Sequence, residues 1–534
     1  MLISCKKKDL RLFRIIGSIA LVMLLGCAEK IGLLPIDEDK WFQQQSRSSL
    51  SSDIPSEFTL RFLRKEDLLE SYEKDPVSVL ISLESEAALQ SDRDSLFVLM
   101  ELCYAEAKKT ATVSERTSRF YLSCVRYAYT FLFDQELKPA LNTYSPRFRW
   151  ACDVYNRSLA KYLIYCKEHN IRAKAGSKLQ LINGELCLAE VQNALSWDLQ
   201  ELSQFDVVYN YKIKGLRNHY RSSGLGVPLI LVRDLPSKRG RDIDERFMAQ
   251  NHQVCPGSAV LHFKEAVTDD KEGDSCLQGC LEIYDPIQTS EIPIGTTLVP
   301  LELDFTTPIA YSLENTPDLK GTTGFFEPEA WTDACGLYMI SPYQPGKIPV
   351  VFVHGLFTTT RTWTVMLNEL AGDPLLREKY QAWFFLYPTG NPIIFNATLL
   401  RDSLLEVRQV LDPAGVDEAF DRMVIVGHSM GGLLSKIMVQ HSGHAVWDYL
   451  FDKPIDELDI RDDERELLED LLFFEPLPFI KRIVFMATPH RGTELAKSRL
   501  NKIGLSFVKL PNDVTDFVMN VTPFFKEKHK THPK

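Results

Sequence analysis

The residues best equipped for chemistry are Gly427-His428-Ser429-Met430-Gly431-Gly432. Before them, Met423 to Val426 is a short apolar, β-prone run; after them, Leu433, Leu434, Ile437 and Met438 repeat at helical spacing. The pattern reads strand, sharp turn, helix. A serine at such a turn sits on a strained backbone with its hydroxyl at the top of a sheet, and the glycines two before and two after it let strand and helix pass closely. A serine hydroxyl becomes a useful nucleophile only when a base removes its proton and N–H groups stabilise the resulting oxyanion.

Two further stretches supply context. Ile348 to Val353 is a buried-strand run ending in His354-Gly355-Leu356, and Ile483 to Ala487 is another, ending in Thr488-Pro489-His490-Arg491-Gly492-Thr493. With HG, GHSMGG and TPHRG segments in this order, roughly residues 296 to 500 resemble the α/β-hydrolase superfamily, on its esterase and lipase branch. The resemblance implies a doubly wound, mostly parallel sheet and a carboxylic ester or lipid-like small molecule as substrate, with no metal or cofactor. It makes Ser429 the nucleophile and the N–H groups of Leu356 and Met430 the oxyanion hole. Gly355, Gly427 and Gly431 are then motif glycines, His354 and His428 shape loops, and His490 supports its turn.

The elements that must position these residues alternate regularly. A helix around Trp363 to Leu370, a strand Ala382 to Tyr387 and a helix Ala397 to Val410 separate the apolar runs, which means parallel pairing with right-handed crossovers. His354, Tyr387, Ser429 and His490 then fall at the carboxyl ends of strands, where such sheets carry function. Leu298 to Phe305 and Gly336 to Ile340 are expected to open this sheet, giving six strands with that of Met486 at the rim. Between the serine helix and the last strand lies an insertion, His441 to Pro478. Its segment Asp456 to Phe474 has Leu467, Leu468, Leu471, Leu472 and Phe474 at helical spacing, as would a lid over an acyl pocket or a surface helix packed on the sheet.

The family's acid and histidine normally follow a seventh and an eighth strand. Here only about fifty residues follow Ala487, with one apolar run, Ile503 to Leu510, and a lysine-rich end. The hydrolase part is therefore expected to be C-terminally incomplete, with Ile503 to Leu510 a helix covering part of the rim. Asp513, Asp516, His529 and His532 have suitable chemistry but no strand to place them.

The chain begins with Lys6, Lys7, Lys8, Arg11 and Arg14 ahead of a short apolar core, Ile15 to Leu25, which reads as a removable signal, residues 1–26. Leu24-Leu25-Gly26-Cys27 resembles a bacterial lipobox, implying lipid on Cys27 and attachment to the cell envelope, with Ala28 favouring the outer membrane. Acyl chains there would anchor the protein without a spanning helix. Residues 27–60, including the serine-rich Gln43 to Ser52, read as a tether. Residues 61–175 read as a helical hairpin array and a possible protein-binding surface, 176–295 as a β-rich module, and 296–534 as the hydrolase part. The glycines in Tyr220 to Pro228 do not form a dinucleotide fingerprint.

Among 534 residues the formal net charge is −11, which argues against a nucleic-acid partner. Of the 11 cysteines, nine run from Cys103 to Cys335, and Cys276 and Cys280 could bridge locally in an oxidising compartment. No histidine spacing suggests a zinc site. The sequence thus supports a membrane-tethered serine hydrolase; the alternative is a catalytically impaired hydrolase-fold lipoprotein that binds another protein.

Overall fold

The computed structural model describes residues 32–90, 92–110, 112–195, 197–236, 242–248, 252–264, 277–314, 335–492 and 512–526. The leader and Cys27 lie outside them. So do Cys276, Ile503 to Leu510, His529 and His532.

The first part is helical: α1 (Glu38–Gln45), α2 (Glu57–Lys65), α3 (Leu69–Lys74), α4 (Pro76–Gln90), α5 (Arg93–Ala107), α6 (Glu115–Phe133) and α7 (Pro146–Glu168). Their starts are written in the sequence. Ser114 and Thr117 form a reciprocal capping box at α6, and Pro146 occupies the first turn of α7, where its missing N–H costs nothing. α5 is buried on almost every side, as its continuous apolar run requires.

Gln43 to Ser52 does not behave as a spacer. Ser48 and Ser49 are buried, and the N–H groups of Ser49 and Ser56 both donate to Glu101 Oε1 at 2.9 Å. The Ser56 and Thr59 hydroxyls donate to its other oxygen, while Lys108 Nζ donates to the carbonyls of Ser49 and Ser52. A carboxylate that is 2% exposed must be satisfied by donors, and Ser49 of this segment supplies one while Ser56 and Thr59 just after it supply the rest. Polar composition here reflects docking rather than solvation.

A six-stranded sheet follows, in the order β1 (Lys178–Gln180), β2 (Glu185–Ala194), β7 (Leu277–Tyr284), β6 (His252–Lys264), β5 (Val227–Asp234), β3 (Leu202–Val207); the β2–β7 pair is parallel and the other pairs are antiparallel. Helix α7 is fastened to it. The Tyr155 hydroxyl donates to the Leu261 carbonyl at 2.7 Å and accepts from the Leu261 N–H at 2.8 Å, and Asn156 bonds both Gly224 and Gly226. One apolar core runs without interruption from Leu63 in α2 to Phe305, through both the helices and the sheet. Cys187 is disulfide-bonded and Cys280 is a free thiol, so the local bridge between Cys276 and Cys280 is not formed.

Leu298 to Phe305 does not open the second large sheet. β9 (Thr297–Pro300) pairs with β8 (Glu291–Ile294), and β10 (Leu303–Asp304) pairs with β4 (Arg221–Ser222). Leu301, Leu303 and Phe305 are buried in the first core, which explains their apolar run without a place in the later sheet. α8 (Thr306–Glu314) follows.

The later sheet therefore has five described strands rather than six: β11 (Gly336–Met339), β13 (Tyr380–Leu386), β12 (Ile348–Val353), β14 (Met423–His428) and β15 (Ile480–Met486) in spatial order. β11 is antiparallel to β13, and the other three pairings are parallel. Alternation along β12 serves two faces. Val351 and Val353 pack with Leu400, Leu404 and Val407 of α11 (Ile393–Leu411); Val350 and Phe352 pack with Leu367 of α9 (Thr364–Gly372) and with Trp363 just before it. The short α10 (Pro374–Lys379) leads into β13. The sheet is thus covered on both sides by the connections the sequence predicts. β15 lies at the rim of the described strands, with Val484 and Phe485 exposed.

The insertion folds into α13 (Ala445–Leu450) and α14 (Asp462–Leu472). α15 (Asn512–Val521) joins them, so that Trp447, Phe451, Leu468, Leu471, Phe517 and Val521 form a separate small core beside Ile394 and Phe395 of α11. Lys526 N–H donates to the Leu450 carbonyl at 2.8 Å, tying this segment to α13. Asp513 and Asp516 lie on α15, and Asp516 faces solvent.

Candidate active site at the end of strand β14

Ser429 links β14 to α12 (Met430–Ile437) with φ 52° and ψ −117°. A positive φ is costly for a residue with a Cβ, so the surroundings must hold it there. They do so through backbone contacts. The Ser429 N–H donates to the Met486 carbonyl at the end of β15 at 2.8 Å, and the Gly432 N–H donates back to the Ser429 carbonyl at 3.1 Å.

Glycines make the crossing possible. A Cβ on Gly431 would lie 2.3 Å from the Val353 carbonyl oxygen and 2.4 Å from that of His354, so α12 starts directly against the end of β12. A Cβ on Gly427 would meet Gly432 Cα at 2.6 Å, and one on Gly432 would overlap the Thr488 side chain. A Cβ on Gly355 would come within 3.1 Å of Ser429 Cβ and 2.7 Å of His428 Nδ1. The three motif segments, separated by many residues in sequence, therefore interlock around one serine.

Two N–H groups remain open beside it. Met430 is the first residue of α12, where a helix has no internal acceptor for its N–H. In the loop after β12, Thr358 Oγ1 accepts from the Gly355 N–H at 3.1 Å and donates to the Gly355 carbonyl at 2.8 Å, folding the loop and leaving the Leu356 N–H without an acceptor among the described residues. The next residue, Phe357, has φ 59°, a second strained point in the same loop. Leu356 and Phe357 are 36% and 44% exposed, so the rim is apolar.

The histidines divide by environment. His354 is fully buried and stacks on Tyr387 with ring centroids 4.3 Å apart. Its Nδ1 lies 3.1 Å from the Gly355 carbonyl and its Nε2 accepts from the Tyr387 N–H at 3.4 Å, which fixes the neutral tautomer protonated at Nδ1. The Tyr387 hydroxyl, pushed up by burial and so kept protonated, donates to the His354 carbonyl at 2.6 Å. Both ring nitrogens of His354 are committed to the scaffold, and burial lowers its pKa to about 4. His428 sits edge-on to Trp363, with its Nδ1 buried and unpartnered among the described residues. His490 is exposed, edge-on to Phe485, on a turn where its N–H donates to the Thr488 carbonyl.

The buried His354 gives the fold an acid sensitivity. An unfolded chain takes up a proton near pH 6.5, whereas the folded one refuses it until about 4. Stability is therefore full above 6.5 and falls as pH drops towards 4, by up to about 3 kcal/mol. Urea unfolding of the wild type and His354→Gln at neutral and at mildly acid pH reads this directly. The variant should lose less stability on acidification; equal losses would remove His354 from the account.

The structure thus brings together Ser429, Met430, Leu356, Gly355, His354, His428 and Thr488. Thr488, which opens the TPHRG segment, was marked by that motif without its contact to Gly432 being foreseeable, and Thr358, which folds the loop after β12, carries no motif signal in the sequence. Among the described residues no acid or base hydrogen-bonds the Ser429 hydroxyl.

No protein-family model matches this chain, and no curated protein does. A solved structure, Bacillus licheniformis lipase BlEst2 in its mature form, is matched with 20% sequence identity over 37% of this chain and 66% of that one, at a TM-score of 0.20. At that score the likeness is too slight to assign the fold.

Proposed function

We propose that the part carrying β11 to β15 is an α/β-hydrolase-type serine hydrolase acting on carboxylic esters through an acyl-enzyme on Ser429. The observation that carries this is the strained serine between β14 and α12, with the open N–H groups of Met430 and Leu356 on either side. In the reaction Ser429 Oγ bonds to the ester carbonyl carbon as its proton leaves to a base, and the carbonyl oxygen takes up negative charge. Two N–H donors stabilise that charge where water could not be so well oriented. The bond to the alkoxy oxygen then breaks, the alcohol departs with a proton, and water releases the acid from Oγ. Apolar Leu356 and Phe357 at the rim suit an acyl chain.

His354 has no role as the base in this scheme, because both its nitrogens are spent on loop and strand. Loops shaped by His354, Gly355, Gly427, His428, Gly431 and His490 hold the geometry, and no base is hydrogen-bonded to Ser429 among the described residues. The lipobox-like Leu24-Leu25-Gly26-Cys27 supports the further reading that lipid on Cys27 tethers the enzyme to a cell-envelope membrane, facing the periplasm.

A fluorophosphonate probe tests the nucleophile. Wild-type protein should label and Ser429→Ala should not; equal labelling of the two would dismiss Ser429. A protein that fails to label in either form would favour the binding-scaffold alternative, in which the large core of α2 to α7 and the first sheet is the working part.

A further inference from the structure

Between the outer face of α7 and the edge of the first sheet lies a cleft of about 590 Å³, within the size range of small-molecule sites. Unlike the rim of the serine site, its walls are polar. Arg149, Asp153, Arg157 and Lys161 repeat every four residues along α7 and so form one stripe. Facing them are Tyr209, Arg221 and Glu302 from the β-rich part.

Some of these charges are already matched. Arg149 pairs with Asp153 at 2.8 Å and Arg221 with Glu302 at 3.1 Å, while the Arg221 guanidinium also lies 5.6 Å above the Tyr209 ring. Arg157 and Lys161 have no carboxylate partner within ion-pair distance among the described residues. Two like charges one turn apart on a helix repel, and neither side chain is buried for packing. Arg221 also reaches the buried Asp304 behind the wall at 3.8 Å, so the unmatched positive charges of the lining are those of Arg157 and Lys161, on a chain whose formal charge is −11.

We infer that this cleft binds a phosphate monoester, with Arg157 and Lys161 holding the phosphoryl group and Tyr209 flanking the body of the ligand. A phosphate monoester carries nearly two negative charges at neutral pH, matching the surplus, where a single carboxylate would leave one cation unpaired. The guanidinium can take two phosphate oxygens at once, and the ammonium a third. The volume leaves room for a sugar-sized group beside the phosphate. This site is separate from Ser429 and does not depend on its chemistry.

Calorimetric titration of the full chain at about 0.15 M salt tests this, with glucose 6-phosphate, glucose, and phosphatidylcholine vesicles with and without phosphatidic acid as probes. Glucose 6-phosphate should bind and glucose should not. Arg157→Gln with Lys161→Gln should weaken binding about tenfold or more, and each single variant should weaken it in part, whereas Arg422→Gln, which loses the same single charge as either of these on the turn before β14, should not. Binding of phosphatidic acid vesicles alone, with the same dependence on the two residues, would identify the phosphate as a lipid head group. Each single variant is tested beside the double one, and circular dichroism confirms that all are folded. No binding to either phosphate probe, or equal weakening by Arg422→Gln, overturns the inference.

Discussion

Replacing Ser429 with glycine is expected to abolish ester turnover and, at the same time, to make the protein more stable. The hydroxyl is the only group at this position that can form the acyl bond, so kcat towards a p-nitrophenyl ester should fall roughly 10⁴-fold or more. The backbone tells the other half. At φ 52° and ψ −117° the serine Cβ is strained, at a cost of about 1–3 kcal/mol, and glycine relieves it. Glycine's greater freedom in the unfolded chain offsets part of this, roughly 0.5–1 kcal/mol. A net gain on the order of 1 kcal/mol is expected in urea unfolding. Ser429→Ala keeps the Cβ and should lose turnover without that gain. If the two variants proved equally stable, the strain at the turn would be refuted while the assignment of the nucleophile stood.

Gly431→Ala should damage both fold and site. The added methyl would lie 2.3 Å from one backbone oxygen and 2.4 Å from the next, at the end of β12. Backbone atoms in a paired strand cannot rotate away, so α12 must shift. Overpacking of this kind costs about 3 kcal/mol or more. The shift also moves the Met430 N–H, and fluorophosphonate labelling of the remaining folded protein should drop with it. Gly492→Ala is the comparison: unlike Gly431 it has positive φ, at 82°, but its methyl would meet nothing within 4 Å among the described residues. It should cost only the left-handed strain, about 1–2 kcal/mol, and leave labelling intact. Equal destabilisation by the two substitutions would remove the interlock from the explanation.

What the sequence could disclose about this molecule depended on how local the signal was. The strand, elbow and helix around Ser429 were legible because glycine spacing, β-prone residues and helical periodicity all fall within a short window. The helices on either side of β12 and β13 were legible for the same reason. Leu298 to Phe305 misled because an apolar run specifies burial without saying in which core; its partner strand, Arg221 and Ser222, lies some eighty residues earlier. Gln43 to Ser52 misled because a serine docked on a buried glutamate looks the same in sequence as serines facing water, and Glu101 lies 52 residues from Ser49. Within the β-rich module β2 has little local signature: its outer half is exposed and its parallel partner, β7, is far along the chain. The open N–H groups beside Ser429 were predicted from the resemblance, but the Thr358 contacts that leave the Leu356 N–H open became visible only with the loop in three dimensions.

The core that runs unbroken from Leu63 to Phe305 sets the grain at which this protein can be taken apart. Composition changes sharply between α7 and β1, inviting a cut there, yet the Tyr155 hydroxyl and the Asn156 amide cross that line to bond the sheet backbone directly. A fragment ending with α7 would expose one wall of a shared interior, and a fragment beginning at β1 would expose the other. Helices and first sheet form a single cooperative unit, so exchanging either alone between proteins would fail where moving the pair together could succeed.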